Sequence, residues 1–521
     1  MLIFVRSTQT RRATITICSW KSVSQQLRLP KKPLFSGIGT GNERLTFYKR
    51  LFQQVIIREV VNAHGFADIG QGTARGSYRE RKETEAAWMV RDCAGDFDVT
   101  FPGIVWNTQD VKRAMDAFVA DKVDFVLALY LSWAEDYAWI RFLRDMPPVP
   151  VLFAHRMRAE INLKDTHDDD EFTEYLCCGG LVGAQEASGD NADYDRPMLE
   201  TCLGTWPQVL ERARSFGNAA RARALLKDAR IGLLACYNEA MWSTYVHPAD
   251  IFRKVGPELH FYSIAELCDE IDLISPAEAQ AVQADIAARY PVKPDVDEEK
   301  FLASVRATMA MERLAEKHDL DLLVLNDIDT MLFKKVGLRP GFYPTPQCGR
   351  VVIVPEGDLG GGLATYILRL LSGGHVNFIE PFHIDLPGEN FAAGHAGPND
   401  YTDGGVTLVS RDVRFAKSAW KYAGAPFAWH VFPQGRKTML HCSQRKGRFL
   451  MAATLLDCLP CEPFLATYSH GLFRPVGQSA PELFEKLLRL GVTQHYGLCA
   501  GEFLPELKDL AMMLDMDYQR V

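Results

Sequence analysis

One stretch constrains this chain more than any other. Residues 351–354 form an apolar, β-branched run that stops at Pro355-Glu356-Gly357-Asp358. Apolar positions then recur at helical spacing over 363–371, and Gly373-Gly374 ends them. A second strand-like run, 375–379, leads into Glu380. Strand, helix, strand at these lengths predicts a parallel crossover, which is right-handed in nearly all proteins and returns both carboxyl ends to one sheet edge. Ligands of open α/β sheets bind just outside those ends. Glu356 and Glu380 lie 380 − 356 = 24 residues apart, so the crossover predicts that they converge. Two like charges brought together need a cation or a shared proton.

The same alternation extends upstream. Runs 97–105, 125–131 and 149–154 read as strands, with an amphipathic stretch, 110–121, between the first two. A second block carries a helical run, 207–227, then a strand, 229–236, and a loop with Asn238 and Glu239. Helix 297–317 and strand 322–326 follow. From about residue 373 the chain is richer in Gly, His and aromatic residues, turns fall at 433–435 and 444–447, and an amphipathic helix, 504–514, closes it. The expected fold is α/β: two Rossmann-like parallel-sheet domains, 33–180 and 181–372, followed by a β-rich C-terminal domain, 373–521. The first 42 residues hold no acid and seven bases, Arg6, Arg11, Arg12, Lys21, Arg28, Lys31 and Lys32. Residues 1–32 are therefore expected to be a basic, disordered extension, with an organelle transit peptide as the alternative to a cytoplasmic location.

Charge and cysteine usage narrow the function class. A net charge of −8 over 521 residues argues against a nucleic-acid or anionic-membrane surface. The most apolar long window, 123–140, is interrupted by Asp124, Glu135 and Asp136, so no membrane span is expected. Twelve cysteines are scattered, with Cys177 and Cys178 adjacent, which fits buried thiols in a reducing compartment. Cys458 and Cys461 form a lone CxxC; with no second pair to complete a zinc site, half-buried thiols are the better reading. The acid run Asp168, Asp169 and Asp170 reads as a solvated loop. Gly360, Gly361 and Gly362 lack the phosphate-loop lysine and read as room for close packing. Of Trp133, Tyr137 and Trp139, which could line a pocket by stacking, Trp139 is as well placed in a core.

Two imidazoles join the glutamates. His395 lies in Ala393-Gly394-His395-Ala396-Gly397, where glycines allow close backbone approach. His495, in Gln494-His495-Tyr496-Gly497, is placed where a strand gives way to loop and helix. Taken singly, each has a plainer reading: a loop acid, a strand-end turn, an exposed loop histidine, a core histidine. Together, two carboxylates and two imidazoles make a hard oxygen–nitrogen site suited to Mn²⁺ or a similar divalent ion.

The segment PEGDLGGGLATYILRLLSGGHVNFIEPFHIDLPGENFAAGHAG resembles the metal-binding segment of L-arabinose isomerases. In them a Glu-Gly-Asp tripeptide opens a helix, a strand leads to glutamate, and a Gly-x-His motif follows. The terminal LGVTQHYGLCAGEFLPELKDLAMMLDM and the upstream LYLSWAEDYAWIRFLRDMPPVPVLFAHR are similar to that family's histidine-bearing and sugar-pocket segments. Cys348, shortly before Glu356, is a fainter likeness to L-fucose isomerases. The resemblance implies a fucose/arabinose isomerase-like fold, metal ligands Glu356, Glu380, His395 and His495, and Glu356 with Glu380 as the acid/base pair. It also implies a homotrimer or homohexamer in which a neighbour completes each sugar pocket. The family's sugar-contacting motifs are replaced here by Trp133-Ala134-Glu135-Asp136-Tyr137 and by Arg156-Met157 beside His155.

The expected function is metal-dependent aldose–ketose isomerisation of a pentose or (deoxy)hexose through an enediol, with the metal as Lewis acid and the glutamates moving protons. Two alternatives stay open: a non-catalytic sugar sensor or binding protein, which has no need of four ligands, and another metal-dependent reaction such as epimerisation.

Overall fold

The computed structural model describes residues 2–7, 55–60, 78–105, 108–131, 136–157, 181–346, 351–396, 399–466 and 468–521. Trp133, Asp168, Asp169, Asp170, Cys177, Cys178 and Cys348 lie outside them. The chain divides into two compact units, 1–224 and 225–521. The expected boundary near 180 thus falls inside the first unit and that near 372 inside the second.

The first unit holds a five-stranded sheet built from β1 (Leu2–Ser7), β2 (Val55–Val60), β3 (Phe125–Tyr130), β4 (Val151–Arg156) and β5 (Leu199–Gly204), in the order β2-β1-β3-β4-β5. Strands β3, β4 and β5 are parallel, while β1 runs antiparallel to both β2 and β3. Leu2–Ser7, inside the stretch expected to be disordered, is therefore a strand of this sheet. The helices Thr108–Asp121 and Asp136–Asp145 follow the expected pattern, and Phe118, Phe142 and Trp139 join Val126 and Val151 in one apolar core. The run 97–105 is not a strand: it makes only isolated bridges. Its apolar residues are real core, with Phe97 against Phe125, but burial alone does not supply a strand partner.

The second unit contains two sheets. In the first, β6 (Arg230–Leu234), β7 (Glu258–Tyr262), β8 (Leu322–Leu325) and β9 (Val352–Val354) are all parallel, in the order β7-β6-β8-β9. The helix expected around 297–317 is Glu298–Lys317, and that expected around 207–227, Trp206–Lys227, lies mostly in the first unit. The second sheet has nine strands: β10 (Val376–Asp385), β11 (Asn390–Ala396), β12 (Val406–Arg411), β13 (Pro426–Val431), β14 (Gly435–Arg445), β15 (Arg448–Leu459), β16 (Tyr468–Pro475), β17 (Tyr496–Ala500) and β18 (Asp517–Arg520). Because β15 also pairs with β16, the strands β16-β11-β10-β17-β14-β15 close into a six-stranded barrel. Cys458 and Cys461 are free thiols at the end of β15 and beyond it. No helix among the described residues is long and apolar enough to cross a membrane.

The helix Leu359–Ser372 joins the two sheets. Asp358 caps its start by accepting the Gly361 N–H at 2.9 Å, and Gly373, at φ 62°, ends it in the left-handed region. Leu363, Ile367, Leu370 and Leu371 are all buried, each stabilising the fold by about 1.5–3 kcal/mol. The three glycines of its first turn touch different neighbours. A Cβ on Gly360 would lie 2.4 Å from the Cys442 carbonyl on β14, one on Gly361 2.5 Å from the Phe378 ring on β10, and one on Gly362 3.0 Å from Val324 on β8. The triple glycine is what lets one helix lie tightly between the parallel sheet and the barrel.

Candidate metal centre

The parallel crossover expected from 351–380 does not form. β9 ends the four-stranded parallel sheet, whereas β10 belongs to the barrel and is antiparallel to both its neighbours, β11 and β17. Nor is Glu380 a strand end: β10 continues to Asp385 past an irregularity between Pro381 and His383. Glu356 and Glu380 nevertheless come together, for a different reason. β9 ends at Val354, and Glu356 then takes φ 64° and Gly357 φ 67°. That left-handed pair turns the chain from the sheet into the helix cap at Asp358, an unusual conformation for a residue with a side chain. On the barrel side, Ile379 pairs with Tyr496 and Glu380 with Gly394. The register therefore leaves Glu380 beside His395, in β11, and His495, immediately before β17.

Both histidines sit differently from the sequence reading. His395 is a fully buried strand residue, not a loop residue. Its neighbour Gly394 is needed because a Cβ there would lie 1.8 Å from the Ser469 carbonyl of β16. His495 precedes its strand and is also fully buried. The Phe378 ring packs against both imidazoles, at centroid distances of 5.0 Å to His395 and 4.6 Å to His495.

The geometry brings three of the four expected ligands to one point. Each of Glu356, His395 and His495 offers a ligand atom, and these atoms lie within 4.8 Å of one another. The His395 Nε2 is 3.6 Å from Glu356 Oε1, and the His495 Nε2 is 3.4 Å from Glu356 Oε2. Both Nε2 atoms are buried without a hydrogen-bond partner. Glu380 stands next to this group but outside it, its nearer oxygen 4.0 Å from His495 Nε2. The Nδ1 atoms are engaged: His395 Nδ1 faces the Ala396 carbonyl at 3.0 Å, and His495 Nδ1 faces Asp358 at 2.8 Å. A proton held on Nδ1 leaves the Nε2 lone pair free, as metal-ligating histidines require.

Sequence and geometry meet in the comparisons with known proteins. The chain is similar to two proteins named sulfoquinovose isomerase, from Priestia aryabhattai and Priestia megaterium. Each is 19% identical over 450 residues, which spans 84% of this chain and 94% of the relative. No protein-family model matches the chain. The similarity is thus distant, runs along most of the chain, and is to sugar isomerases.

Electrostatics separates the two glutamates. Burial pushes the Glu356 carboxyl up, but the His495 and His395 imidazoles, with Arg339 behind them, outweigh it and hold Glu356 well below the usual carboxylate range. Glu380 moves the other way, raised by burial first and by the Glu356 charge second. Burial pushes His395 down to about 3 and keeps it neutral. Burial also disfavours a charged His495, yet Asp358 and Glu356 on either side raise it. A positive charge is thus favoured between these carboxylates, which is the environment a divalent cation needs.

A Glu-Gly-Asp before an apolar helix marks Asp358 as a cap, and its contact with His495 is what the sequence did not show. Of the aromatic residues considered for a sugar pocket, Trp139 is core, with its Nε1–H donated to Asn191 at 2.8 Å, and Tyr137 is exposed.

Proposed function

We propose that this chain is a metal-dependent aldose–ketose isomerase. The observation that carries the proposal is the convergence of Glu356, His395 and His495, with two buried, unpartnered Nε2 atoms aimed at one carboxylate. Glu356, His395 and His495 would hold the ion, with Glu380 at its margin, and the mixed carboxylate–imidazole set suits Mn²⁺ or a similar divalent ion. A divalent ion in this position supplies Lewis acidity, lowering the cost of negative charge on the sugar oxygens.

The protein's own groups do the rest. Glu380 lies outside the triad and is the carboxylate left free of the ion, so it takes the proton from the carbon beside the carbonyl and returns it to the former carbonyl carbon. Glu356 would carry the hydroxyl proton between the two oxygens, accepting it from one and giving it to the other. Phe378 excludes water from behind the imidazoles. A homotrimer or homohexamer belongs to the same proposal and rests on the family resemblance alone; light scattering in solution tests it.

The test is a turnover assay by NMR with Mn²⁺ on a panel of pentoses, hexoses and deoxyhexoses. Sulfoquinovose, the sugar in the names of the two relatives, goes first. Metal-stimulated appearance of the matching ketose or aldose supports the proposal. Sugar binding without turnover would return the chain to a sensor role, and inversion at one carbon without carbonyl transfer would make it an epimerase.

A further inference from the structure

A buried ion pair outside the triad touches the backbone of two of its three ligand segments. Arg339 and Asp327 are both buried, at 8% and 2% exposure, and the Arg339 Nη2–H donates to Asp327 Oδ2. The same Nη2 donates to the Ala396 carbonyl at 3.1 Å. That carbonyl is also the partner of His395 Nδ1. On the other side, Asp327 Oδ1 accepts the Glu356 N–H at 2.9 Å. The chain of contacts runs from the His395 ring through Ala396, Arg339 and Asp327 to the Glu356 backbone.

The elements explain what this linkage does. Asp327 follows β8 and Glu356 follows β9, both in the parallel sheet, while His395 and Ala396 end β11 in the barrel. Among the described residues no strand ladder joins these two sheets, so the relative placement of Glu356 and His395 rests on the helix Leu359–Ser372 and on side-chain links such as this one. Glu356 also holds a left-handed φ of 64°, a conformation that persists only where surrounding contacts over-determine it. The Phe415 ring lies under the guanidinium, 5.9 Å from its centre, and Asp412 Oδ2 is 3.9 Å from Nη1, so Arg339 itself has little freedom.

We infer that Arg339 and Asp327 are positioning residues that clamp Glu356 and His395 at the spacing a metal ion requires. This rests on the reading that the triad holds a metal. Arg339 Nη2 serves the carboxylate and the carbonyl with two N–H bonds fixed in the guanidinium plane, which the freely rotating ammonium of lysine does less well.

The experiment compares the full-length wild type with Arg339→Lys and Asp327→Asn. Mn²⁺ affinity is measured calorimetrically on metal-stripped protein, alongside metal-free melting temperature and sugar kinetics. Val111→Ala, a buried truncation in the helix Thr108–Asp121, whose apolar core holds no residue of the segments that carry the triad, sets the effect of lost stability alone. The clamp predicts that both ion-pair variants bind Mn²⁺ about 10–100-fold more weakly, the usual range for outer partners of metal ligands. It also predicts a fall in kcat with sugar KM little changed, while Val111→Ala melts earlier and binds Mn²⁺ as the wild type does. If the variants melt earlier but keep wild-type Mn²⁺ affinity, the pair is structural and the inference is overturned. If one variant does not fold, the other decides; if neither folds, the pair is a folding element and the inference is likewise overturned. A wild type that binds no Mn²⁺ defeats the metal reading itself, and the clamp with it, before any variant is considered.

Discussion

One carboxylate of Asp358 serves two purposes: its Oδ1 accepts the Gly361 N–H at 2.9 Å, capping the helix Leu359–Ser372, and its Oδ2 lies 2.8 Å from His495 Nδ1. The helix that fits between the two sheets is thereby tied to a candidate ligand 137 residues further along the chain. Asp358→Ala should lose about 1 kcal/mol of cap stabilisation. It should also weaken Mn²⁺ binding about 10–100-fold, because His495 loses the partner that fixes its tautomer and orientation. Asp358→Asn keeps a cap acceptor and should lose mainly the second effect. Thermal melting and Mn²⁺ titration of the two variants separate the roles; equal Mn²⁺ affinity in all three proteins would refute the link.

Glu380→Gln keeps shape and removes a base. It should fold and bind Mn²⁺ close to wild type, since Glu380 stands outside the triad, while turnover falls about 10²–10⁴-fold. Exchange of the substrate's carbon-bound hydrogen with deuterated solvent, followed by NMR, should disappear with it. A Glu380→Gln enzyme that still exchanges would move the base elsewhere.

Removal of metal should abolish activity and leave the fold. The ligands sit on β11, beside β17 and after β9, elements held by their own ladders and cores. Chelator-treated protein should therefore keep its far-ultraviolet circular dichroism and regain turnover on adding Mn²⁺. His495→Ala should show the same dependence at higher Mn²⁺ concentrations. Activity that survives exhaustive chelation counts against the metal mechanism.

Gly394→Ala tests the barrel's part in placing His395. The added Cβ would meet the Ser469 carbonyl at 1.8 Å, a backbone atom that cannot rotate away, so β11 must shift from β16. Destabilisation of about 1–3 kcal/mol is expected from overpacking of this kind, with Mn²⁺ affinity falling as His395 moves. Denaturant melts should report the first and calorimetry the second; an unchanged melt would contradict the close approach.

Away from the centre, His375 Nδ1 lies 3.0 Å from Asp400 Oδ2. Burial opposes charge on both, yet their mutual interaction wins: Asp400 is held at about 2 and His375 is raised. A depressed acid stabilises the fold above its ordinary 3.8 and loses that contribution as pH falls towards about 2. A raised histidine stabilises below its ordinary 6.5 and loses its contribution as pH rises through the folded value. The pair therefore contributes most between these two ordinary values. Asp400→Asn should lower stability by about 1.5–3 kcal/mol there and by less on either side. Melts of both proteins across pH 3–9 check it, and a difference independent of pH would rule out the ion pair as its cause.

Local pattern placed much of this molecule. The apolar run at 352–354, the cap at Asp358, the glycine stop at Gly373 and the helices near 207–227, 297–317 and 504–513 follow from periodicity, capping chemistry and breakers acting over a few residues. Three of the four expected ligands offer atoms within 4.8 Å of one another; the strand–helix–strand pattern and the family resemblance together had named them. What local pattern could not decide was pairing. Nothing in 375–380 distinguishes a strand that returns to the sheet of β9 from one that enters a barrel, because a run of apolar residues specifies burial and not a partner. The choice was made by distant segments: β17, which pairs Tyr496 with Ile379, and β16, whose Ser469 carbonyl lies against Gly394. Arg339 and Asp327 were invisible for the same reason. An isolated Arg and an isolated Asp are surface residues by default, and only burial beside one another gives them a role.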